Sequence, residues 1–374
     1  MRPWHGRGPG STPGRSTRLT MSPKYKPIKF PEDESIHDCT GEWWYWNGHL
    51  KDGDGNRYSF MNCLFRVDVK KADFPLLSRI PVKTAYFSHS LLSDLARRSF
   101  THRISPFSLI SEDSFSKPRL FINYLNPTIK NKYNNCEMEK TGESEYHVKN
   151  EDIDLQLTLV KRPILEGGKG FIELPPKATY YYSLPNLKTE GRIKIKNKWI
   201  AVTGKSWMDH QWGNLKYSKD KWDWFSIQLD NDTELICFKY DNGKTKMHFA
   251  DISYANGHQE HHTKVEIIPL KQCWKSPRSQ ATYPLAWKII IPEKNIDLDL
   301  TAIMKKQEML FTTINYWEGP FKVSGSFGDK KVGGFGFMEL VGYPSEYTNT
   351  SYLKDEITQA AKSFFSVTKK IIFG

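Results

Sequence analysis

The stretch that decides the fold reads Gly204-Lys205-Ser206-Trp207-Met208-Asp209-His210-Gln211-Trp212-Gly213. Two tryptophans in a surface turn would expose a large apolar area, so the stretch is not an ordinary turn. A typical core strand avoids acid, imidazole and amide groups, because each buried polar group needs a partner. The mixture of both kinds of residue therefore predicts the wall of a pocket.

Strand-like segments lie on both sides of this stretch. Upstream, four aromatic residues from Trp43 to Trp46 favour a half-buried pleated surface, and the turn residues from Asp52 to Asn56 lead into an apolar run at 58–67. This pattern predicts a hairpin. Short strands at even spacing are also predicted at 153–160, 221–229, 235–240, 248–254, 264–268, 285–291, 298–304 and 333–341. Such a series is typical of a β-sandwich or β-barrel.

Length and composition predict a globular protein with room for two domains. A single core rarely grows beyond about 250 to 300 residues, and the chain has 374. Aromatic residues make up 14% of the chain, which supplies apolar surface for a core despite a mean hydropathy of -0.60. The composition therefore indicates a globular protein and not a disordered one.

The charge balance does not favour a nucleic-acid partner. Lys and Arg outnumber Asp and Glu by 54 to 42, but four arginines fall in the first twenty residues and the lysines form no stripe. General solubility accounts for this excess. We therefore predict no nucleic-acid binding.

Motifs for metals, cofactors and secretion are missing from the sequence. The five cysteines form no C-x-x-C pair, and neither a P-loop nor a G-x-G-x-x-G after a strand occurs. We predict no metal and no cofactor. The first twenty residues lack an apolar signal segment, and no run of about 18 apolar residues occurs, so we predict a cytoplasmic protein without a transmembrane segment. The composition changes near Met21, a candidate for the true start.

The C-terminal segment 349–374 is predicted to be an amphipathic helix. Apolar residues recur there with a period of 3.6 from Leu353 to Ile372. Two roles stay open for this helix. One is packing across a barrel, and the other is peripheral contact with a membrane surface through Lys354, Lys362, Lys369 and Lys370.

Asp209 is the main candidate for an acid catalyst. Burial between Trp207 and His210 would disfavour the charged form of its carboxyl, so that the group could stay protonated and donate a proton. The alternative is structural, with Asp209 paired to His210 or capping a turn while the tryptophans form core. The residue types alone do not decide between these roles.

Tyr180 and Tyr182 are the other two catalytic candidates. Strand alternation would place them on one face and Tyr181 on the other. If their face points inward, the two phenol rings could stabilise a cation and bind a ligand; otherwise the three tyrosines are simply good strand formers.

Six further residues are assigned to ligand binding along the same wall. Glu42 has a structural alternative as a buried partner of Arg or Lys, and His89 has one as a hydrogen-bonded core histidine. The six residues are Glu42, Trp43, His89, Trp207, His210 and Gln211.

Several segments, taken in order, resemble the carotenoid 1,2-hydratase and AttH-like family over about residues 36–345. They are Gly41-Glu42-Trp43-Trp44-Tyr45 through Gly48, 87–94, Tyr181-Tyr182-Ser183-Leu184-Pro185, 204–213, Tyr316-Trp317-Glu318-Gly319 and 323–343. The resemblance implies an all-β chain with two lipocalin-like antiparallel β-barrel or sandwich domains and a hydrophobic ligand in a cavity. The expected bounds are an extended or disordered segment at 1–30, domains at 31–215 and 216–348, and the C-terminal helix at 349–374.

The resemblance also implies a chemistry. Family members include hydratases of isoprenoid or prenyl double bonds, in which an acid protonates the alkene, aromatic rings stabilise the cation and water adds. Asp209 would be that acid. Family members also include relatives that fold polyene substrates for pericyclic ring closure, so the resemblance implies either a hydratase or a cyclase. Carotenoid hydratases carry a Tyr two residues before the acid and a His-x-Trp pair upstream, for which the corresponding residues here are interpreted as Trp207, Tyr180 and Tyr182. Isoprenoid, prenylated and polyketide ligands all fit this expectation, and so does a non-catalytic carrier with a buried Asp209-His210-Gln211 network.

Overall fold

The computed structural model describes residues 25–71, 84–108, 119–124, 136–175, 177–214, 220–311, 314–344, 346–348, 350–351 and 354. Nearly all regular secondary structure in this part of the chain is antiparallel β-strand, which confirms the predicted all-β class. Most of the predicted segments at 1–30 and 349–374 lie outside the described residues. Among the helices that are described, none is long and apolar enough to cross a membrane.

The first sheet contains twelve strands. Their bounds are β1 (Gly41–Lys51), β2 (Arg57–Asp68), β3 (Thr84–Asp94), β4 (Ser99–Ser108), β5 (Phe121–Tyr124), β6 (Cys136–Lys140), β7 (Glu145–Lys149), β8 (Ile153–Leu159), β9 (Ile164–Leu165), β10 (Phe171–Leu174), β11 (Lys177–Ile195) and β12 (Lys198–Gly213). The hydrogen-bonded order is β4-β3-β2-β1-β12-β11-β8-β7-β6-β5, and β9 and β10 both pair with β11. The strands β1, β12 and β11 are therefore central.

The remaining strands form a second sheet and a small hairpin. Their bounds are β13 (Lys221–Leu229), β14 (Glu234–Asp241), β15 (Lys246–Ser253), β16 (Gln259–His262), β17 (Glu266–Pro269), β18 (Cys273–Lys275), β19 (Thr282–Pro284), β20 (Ala286–Ile291), β21 (Ile296–Ala302), β22 (Glu308–Phe311), β23 (Ile314–Phe327) and β24 (Lys330–Val341). The sheet order is β16-β15-β14-β13-β24-β23-β21-β20-β17, β22 pairs with β23, and β18 pairs with β19. Short 3-10 turns lie at Glu32–Glu34, Glu166–Gly168 and Pro292–Lys294.

Each sheet has its own apolar core, and a third apolar cluster joins the two sheets. Trp44 and Trp46 belong to the first core, and Trp287 and Trp317 to the second. The third cluster, here called the junction, combines side chains of both sheets, among them Tyr45, Cys63, Tyr181, Trp207, Trp224, Tyr316 and Phe337. The strand β3 is covered on both faces, because Tyr86 and Leu92 belong to the first core and Leu91 belongs to the junction. It is therefore buried along its whole length instead of alternating between buried and exposed.

The two glycines that end the 204–213 stretch permit close approach of neighbouring strands. A Cβ atom on Gly204 would collide with the carbonyl oxygen of His49 on β1, and one on Gly213 would lie 2.5 Å from the carbonyl oxygen of Ala178 on β11. Glycine is suited to such positions because it has no side chain. Both glycines therefore help to pack β12 between its two neighbours.

Candidate functional site

Side chains of β12 alternate between the two faces of the first sheet. Trp207 belongs to the junction, and its indole donates a hydrogen bond to Asp209 on the same face. Met208 and Trp212 belong to the first core, and His210 contacts Trp212 there. The 204–213 stretch therefore contributes to two separate buried polar clusters, one on each face of the sheet.

Asp209 lies in a row of residues that crosses five strands of the first sheet. Ser183, Asp209, Tyr45, Cys63 and His89 occupy directly paired positions on β11, β12, β1, β2 and β3. Directly paired residues in an antiparallel sheet point to the same face. The whole row therefore faces the junction.

A matching row of the second sheet faces this one. Glu318, Glu339 and Trp224 are directly paired on β23, β24 and β13. The hydroxyl of Tyr45 donates to Glu318 Oε1 over 2.8 Å, and the rings of Tyr45 and Trp224 meet edge to face with centroids 5.4 Å apart. These contacts place charged and aromatic groups from both sheets in one buried region.

The carboxyl of Asp209 is enclosed by hydrogen-bond donors. Trp207 Nε1 donates to Asp209 Oδ1 over 2.6 Å, and the hydroxyl of Tyr181 makes a short hydrogen bond to Oδ2. Ser183 Oγ lies 2.6 Å from Oδ1. Asp209 is 2% exposed, and burial raises the pKa of its carboxyl to about 7 although the donors oppose this rise.

Ser183 connects Asp209 to a second buried acid. Its hydroxyl oxygen lies 2.5 Å from Glu166 Oε1 and 2.6 Å from Asp209 Oδ1. A hydroxyl has only one hydrogen to donate, so one of the two carboxyls must itself donate a proton to Ser183. Burial, and next the charge of Asp209, raise the pKa of Glu166 well above its usual range. Glu166 is therefore the protonated partner, and the donor order is Glu166 to Ser183 to Asp209.

Glu318 and Glu339 extend this group to four carboxyls, here called the acid cluster (Glu166, Asp209, Glu318 and Glu339). Burial raises the pKa of Glu339 to about 7, and burial followed by the charge of Glu339 raises that of Glu318 well above its usual range. The indole of Trp222 donates to Glu339 Oε1 over 2.7 Å. Because like charges in a buried region disfavour ionisation, the acid cluster holds protons at neutral pH.

Five of the predicted site residues lie on the junction face. Gln211 follows Asp209 by two positions on β12 and therefore shares its face. Trp43 on β1 pairs directly with Gln211 and with Phe65 on β2, so Trp43 lies on the same face. His89 Nδ1 lies 2.6 Å from the hydroxyl of Tyr316, and burial lowers the pKa of His89 to about 3, so the imidazole is neutral. The five residues on this face are Trp43, His89, Trp207, Asp209 and Gln211.

The predicted grouping of Asp209 with Tyr180 and Tyr182 is wrong. Ser183 pairs with Asp209 across β11 and β12, so alternation brings Tyr181 and Ser183 to the acid. Tyr180 and Tyr182 pair with Trp212 and His210 on the opposite face.

Glu42 and His210 also lie on the opposite face, so His210 does not pair with Asp209. Burial lowers the pKa of His210 to about 4, and His210 Nε2 lies 3.0 Å from Glu42 Oε1. The expected basic partner of Glu42 is present, because Arg66 Nη1 lies 3.6 Å from Glu42 Oε2.

Six residues of the junction site were not among the sequence candidates, namely Tyr45, Glu166, Tyr181, Ser183, Glu318 and Glu339. Tyr45, Glu318 and Glu339 fall inside segments that the family resemblance highlights, but only the pairing of distant strands brings them together. Glu166 lies in a glycine-rich turn with no periodic pattern. The run of aromatics around Tyr45 was the one local signal available.

A groove of about 420 Å³ lies elsewhere on the second sheet. It is lined by Asn231, Thr233, Tyr254, Ala255, Asn256 and Phe327. It therefore shares no residue with the acid cluster.

The pattern that describes the AttH-like family matches residues 21–343 of this chain. The chain belongs to the AttH-like family. This match confirms the resemblance seen in the sequence segments. Those segments lie in the two facing sheets described above.

Two curated relatives align with about half of this AttH-like chain. Kievitone hydratase from Fusarium solani subsp. phaseoli is 28% identical over 205 residues, which are 51% of this chain and 57% of that protein. Dehydratase asqC from Emericella nidulans is 23% identical over 208 residues, which are 51% of this chain and 58% of that protein. The alignments thus span less than two thirds of either relative.

Two solved structures resemble the AttH-like chain over most of its length. A protein described as a candidate AttH from Nitrosomonas europaea is 27% identical with a TM-score of 0.68, covering 85% of this chain and 98% of that one. Kievitone hydratase from Nectria haematococca is 21% identical with a TM-score of 0.66, covering 84% and 93%. At 21% identity, the similarity to the second structure shows a shared fold alone.

Replacement of Glu339 by glutamine should flatten the pH dependence of stability. Burial raises the pKa of Glu339 from 4.5 to about 7, so the folded protein keeps a proton in this window that the unfolded chain releases. The free energy of unfolding therefore falls as the pH rises from about 4.5 to about 7, by at most about 1.4 kcal/mol per pH unit for this group. Urea unfolding of wild type and Glu339→Gln across this range measures the difference, and equal slopes would contradict it.

Proposed function

We propose that the chain is a hydratase or dehydratase of a hydrophobic small molecule, with Asp209 as the catalytic acid. The observation that carries the proposal is the hydrogen-bonded series Glu166, Ser183 and Asp209, which ends among the aromatic side chains of the junction. The relatives named as a hydratase and a dehydratase support the same reaction class.

The arrangement supports addition and removal of water by one acid. The donor order in the structure leaves the proton on Glu166, and this proton first passes through Ser183 to Asp209. The carboxyl of Asp209 then transfers the proton to one alkene carbon, and the faces of Trp207 and Trp224 stabilise the cation on the other. The oxygen of a water molecule bonds to this cation, and the proton that the water loses restores the acid. In the reverse direction Asp209 protonates a hydroxyl, which leaves as water, and the Asp209 carboxylate then takes a proton from the carbon next to the cation, so that the alkene forms and the acid is restored. When Asp209 has given up its proton and has not yet regained one, Glu166 supplies a proton to it through Ser183.

For the substrate we propose an isoprenoid, prenylated or polyketide compound. Burial beside aromatic side chains lowers the free energy of an apolar molecule. The electron-rich faces of these side chains also attract a tertiary cation. The acid cluster supplies no basic group for an anionic substrate. The kievitone acted on by one relative is therefore a suitable first probe.

A non-catalytic carrier is the second candidate, and one observation favours it. Three donors already satisfy the Asp209 carboxyl, which is 2% exposed. A substrate reaches this carboxyl only when side chains of the junction move apart. In a carrier the same network would stabilise the junction without reacting.

Mass spectrometry distinguishes the two candidates. Purified protein is incubated with kievitone, a second prenylated aromatic and an acyclic carotenoid, and products are searched for the gain or loss of one water. In deuterated water the enzyme should place one deuterium on the carbon next to the new hydroxyl-bearing carbon. No water gain or loss with any probe would overturn the enzyme. Equal enrichment of one lipophilic compound on wild type and Asp209→Asn would then support a carrier.

A further inference from the structure

The face of β12 opposite to Asp209 carries a polar cluster that the proposed function does not use. It consists of His210 on β12, Glu42 on β1 and His37 just before β1, with ligand atoms that all lie within 4.8 Å of one another. Glu42 Oε1 lies 3.0 Å from His210 Nε2 and 2.7 Å from His37 Nδ1. The side chains of Glu42 and His210 are fully buried, whereas that of His37 is 19% exposed.

An outer partner holds the second nitrogen of each imidazole. His210 Nδ1 lies 3.3 Å from the hydroxyl of Tyr182, and His37 Nε2 lies 3.2 Å from Asp33 Oδ1. Histidines that bind metals typically donate their other ring N–H to such a partner, which fixes the tautomer and the ring orientation. Without a metal the inner nitrogens donate hydrogen bonds to Glu42 Oε1. With the protons on the outer nitrogens, both inner lone pairs become available to a metal ion.

The rings around the cluster restrict its motion further. Trp212 stacks on His37 with centroids 4.0 Å apart and an angle of 3° between the rings, and Trp44 stacks on His210 at 4.8 Å. A ligand set whose orientation is fixed in advance loses little entropy on binding. The cluster is therefore preorganised and not a chance meeting of mobile side chains.

We propose that His37, Glu42 and His210 bind a divalent transition-metal ion, with Zn²⁺ as the best-matched species. Two imidazoles and one carboxylate form a ligand set typical of zinc, and the partly exposed side at His37 leaves the fourth position for water. Bonds of about 2.0 to 2.1 Å in a tetrahedron place ligand atoms about 3.4 Å apart. The two distances to Glu42 Oε1, 2.7 and 3.0 Å, would therefore widen by about 0.7 and 0.4 Å, and the distance between the two histidine nitrogens, which is at most 4.8 Å, would settle near the same value.

The charges around the site are compatible with a cation. Glu42 Oε2 accepts a hydrogen bond from the backbone N–H of His37 over 3.1 Å and lies toward Arg66, which leaves Oε1 for the metal. The carboxylate of Asp33 behind His37 offsets the charge of Arg66. Sequence spacing predicts no metal here, because His210 lies 168 positions from Glu42.

Metal titration of the full chain tests this proposal without any activity assay. Metal-free protein is titrated with Zn²⁺ by calorimetry and with Co²⁺ by visible absorption, for wild type, His37→Ala and Asp33→Asn. We expect one ion per chain, a loss of affinity of at least about 100-fold in His37→Ala, and about 10- to 100-fold in Asp33→Asn. His37 is partly exposed, so its replacement is compatible with folding, which circular dichroism verifies.

His147→Ala is the matched control. His147 is also partly exposed, at 23%, and its Nε2 lies 2.8 Å from Asp154 Oδ1, but among the described residues it belongs to no group of three ligand atoms close enough to share one ion. Its replacement should leave the affinity unchanged. Failure to bind one Zn²⁺ or Co²⁺ ion per chain, or an equal loss in His37→Ala and His147→Ala, would overturn the site. Neither result bears on Asp209, which lies on the other face of the sheet.

Discussion

Asp209→Asn is expected to lower kcat for water addition by about 10²- to 10⁴-fold, the usual contribution of a general acid. Asparagine has nearly the same shape, so Trp207 and Ser183 can still donate to its side-chain oxygen. Its amide can donate to the hydroxyl of Tyr181, which accepts as well as donates. The amide has no proton of suitable acidity to transfer. Product formation is followed by mass spectrometry with whichever probe wild type converts.

Asp223→Asn provides the matched control for this loss. Asp223 is also a buried aspartate, its pKa is also raised by burial, and it accepts a hydrogen bond from the hydroxyl of Tyr343 over 2.8 Å. It is not part of the acid cluster. Its replacement should leave kcat within about threefold of wild type. Asp209 would lose its role as the acid if both variants lost the same activity, or if Asp209→Asn kept full activity.

Glu166→Gln separates a proton relay from simple packing in the same assay. Glutamine keeps the volume and can still donate a hydrogen bond to Ser183, but it cannot release a proton. We expect the pH at which kcat is half-maximal to shift, since the charge of Asp209 and the protonation of Glu166 affect each other. An unchanged pH profile would leave Glu166 with a structural role only.

The fold class was predictable from local sequence, whereas the composition of the site was not. Aromatic runs and turn residues determine strands through short-range preferences, and the 204–213 stretch correctly indicated a buried acid between tryptophans. The error over Tyr180 and Tyr182 has a physical cause. Residues 181–187 are all buried, so burial does not show which face is which, and a shift of one residue exchanges the two faces.

The remaining site residues depend on contacts between strands that are far apart in the chain. Tyr45 donates to Glu318, which lies 273 positions away, and Glu318 meets Glu339 only because β23 pairs with β24. Neither contact has a local signature, because a glutamate next to tryptophan fits an exposed strand equally well. Glu166 was missed for a different reason, since it lies in a turn whose place beside β11 is set by the pairing of β9 and β10.

Trp207→Ala is expected to lower the free energy of unfolding by about 3 to 5 kcal/mol, the range for truncating a large buried aromatic side chain. The indole of Trp207 is 1% exposed and fills the junction between the two sheets. Its removal leaves a cavity and takes one donor from the buried carboxyl of Asp209. Urea unfolding followed by circular dichroism measures the change at a fixed pH near 7.

Trp199→Ala is the control for this effect, because Trp199 lies on the same strand but is 41% exposed. Its ring contacts the guanidinium of Arg192 at 4.9 Å, an exposed cation–π contact worth about 0.5 to 1 kcal/mol. Trp207→Phe then separates packing from hydrogen bonding, since phenylalanine fills most of the space but has no N–H. Loss of that donor should raise the pKa of Asp209 further and move the pH profile of kcat upward. If Trp199→Ala destabilises the protein as much as Trp207→Ala, the junction does not contribute the stability assigned to it.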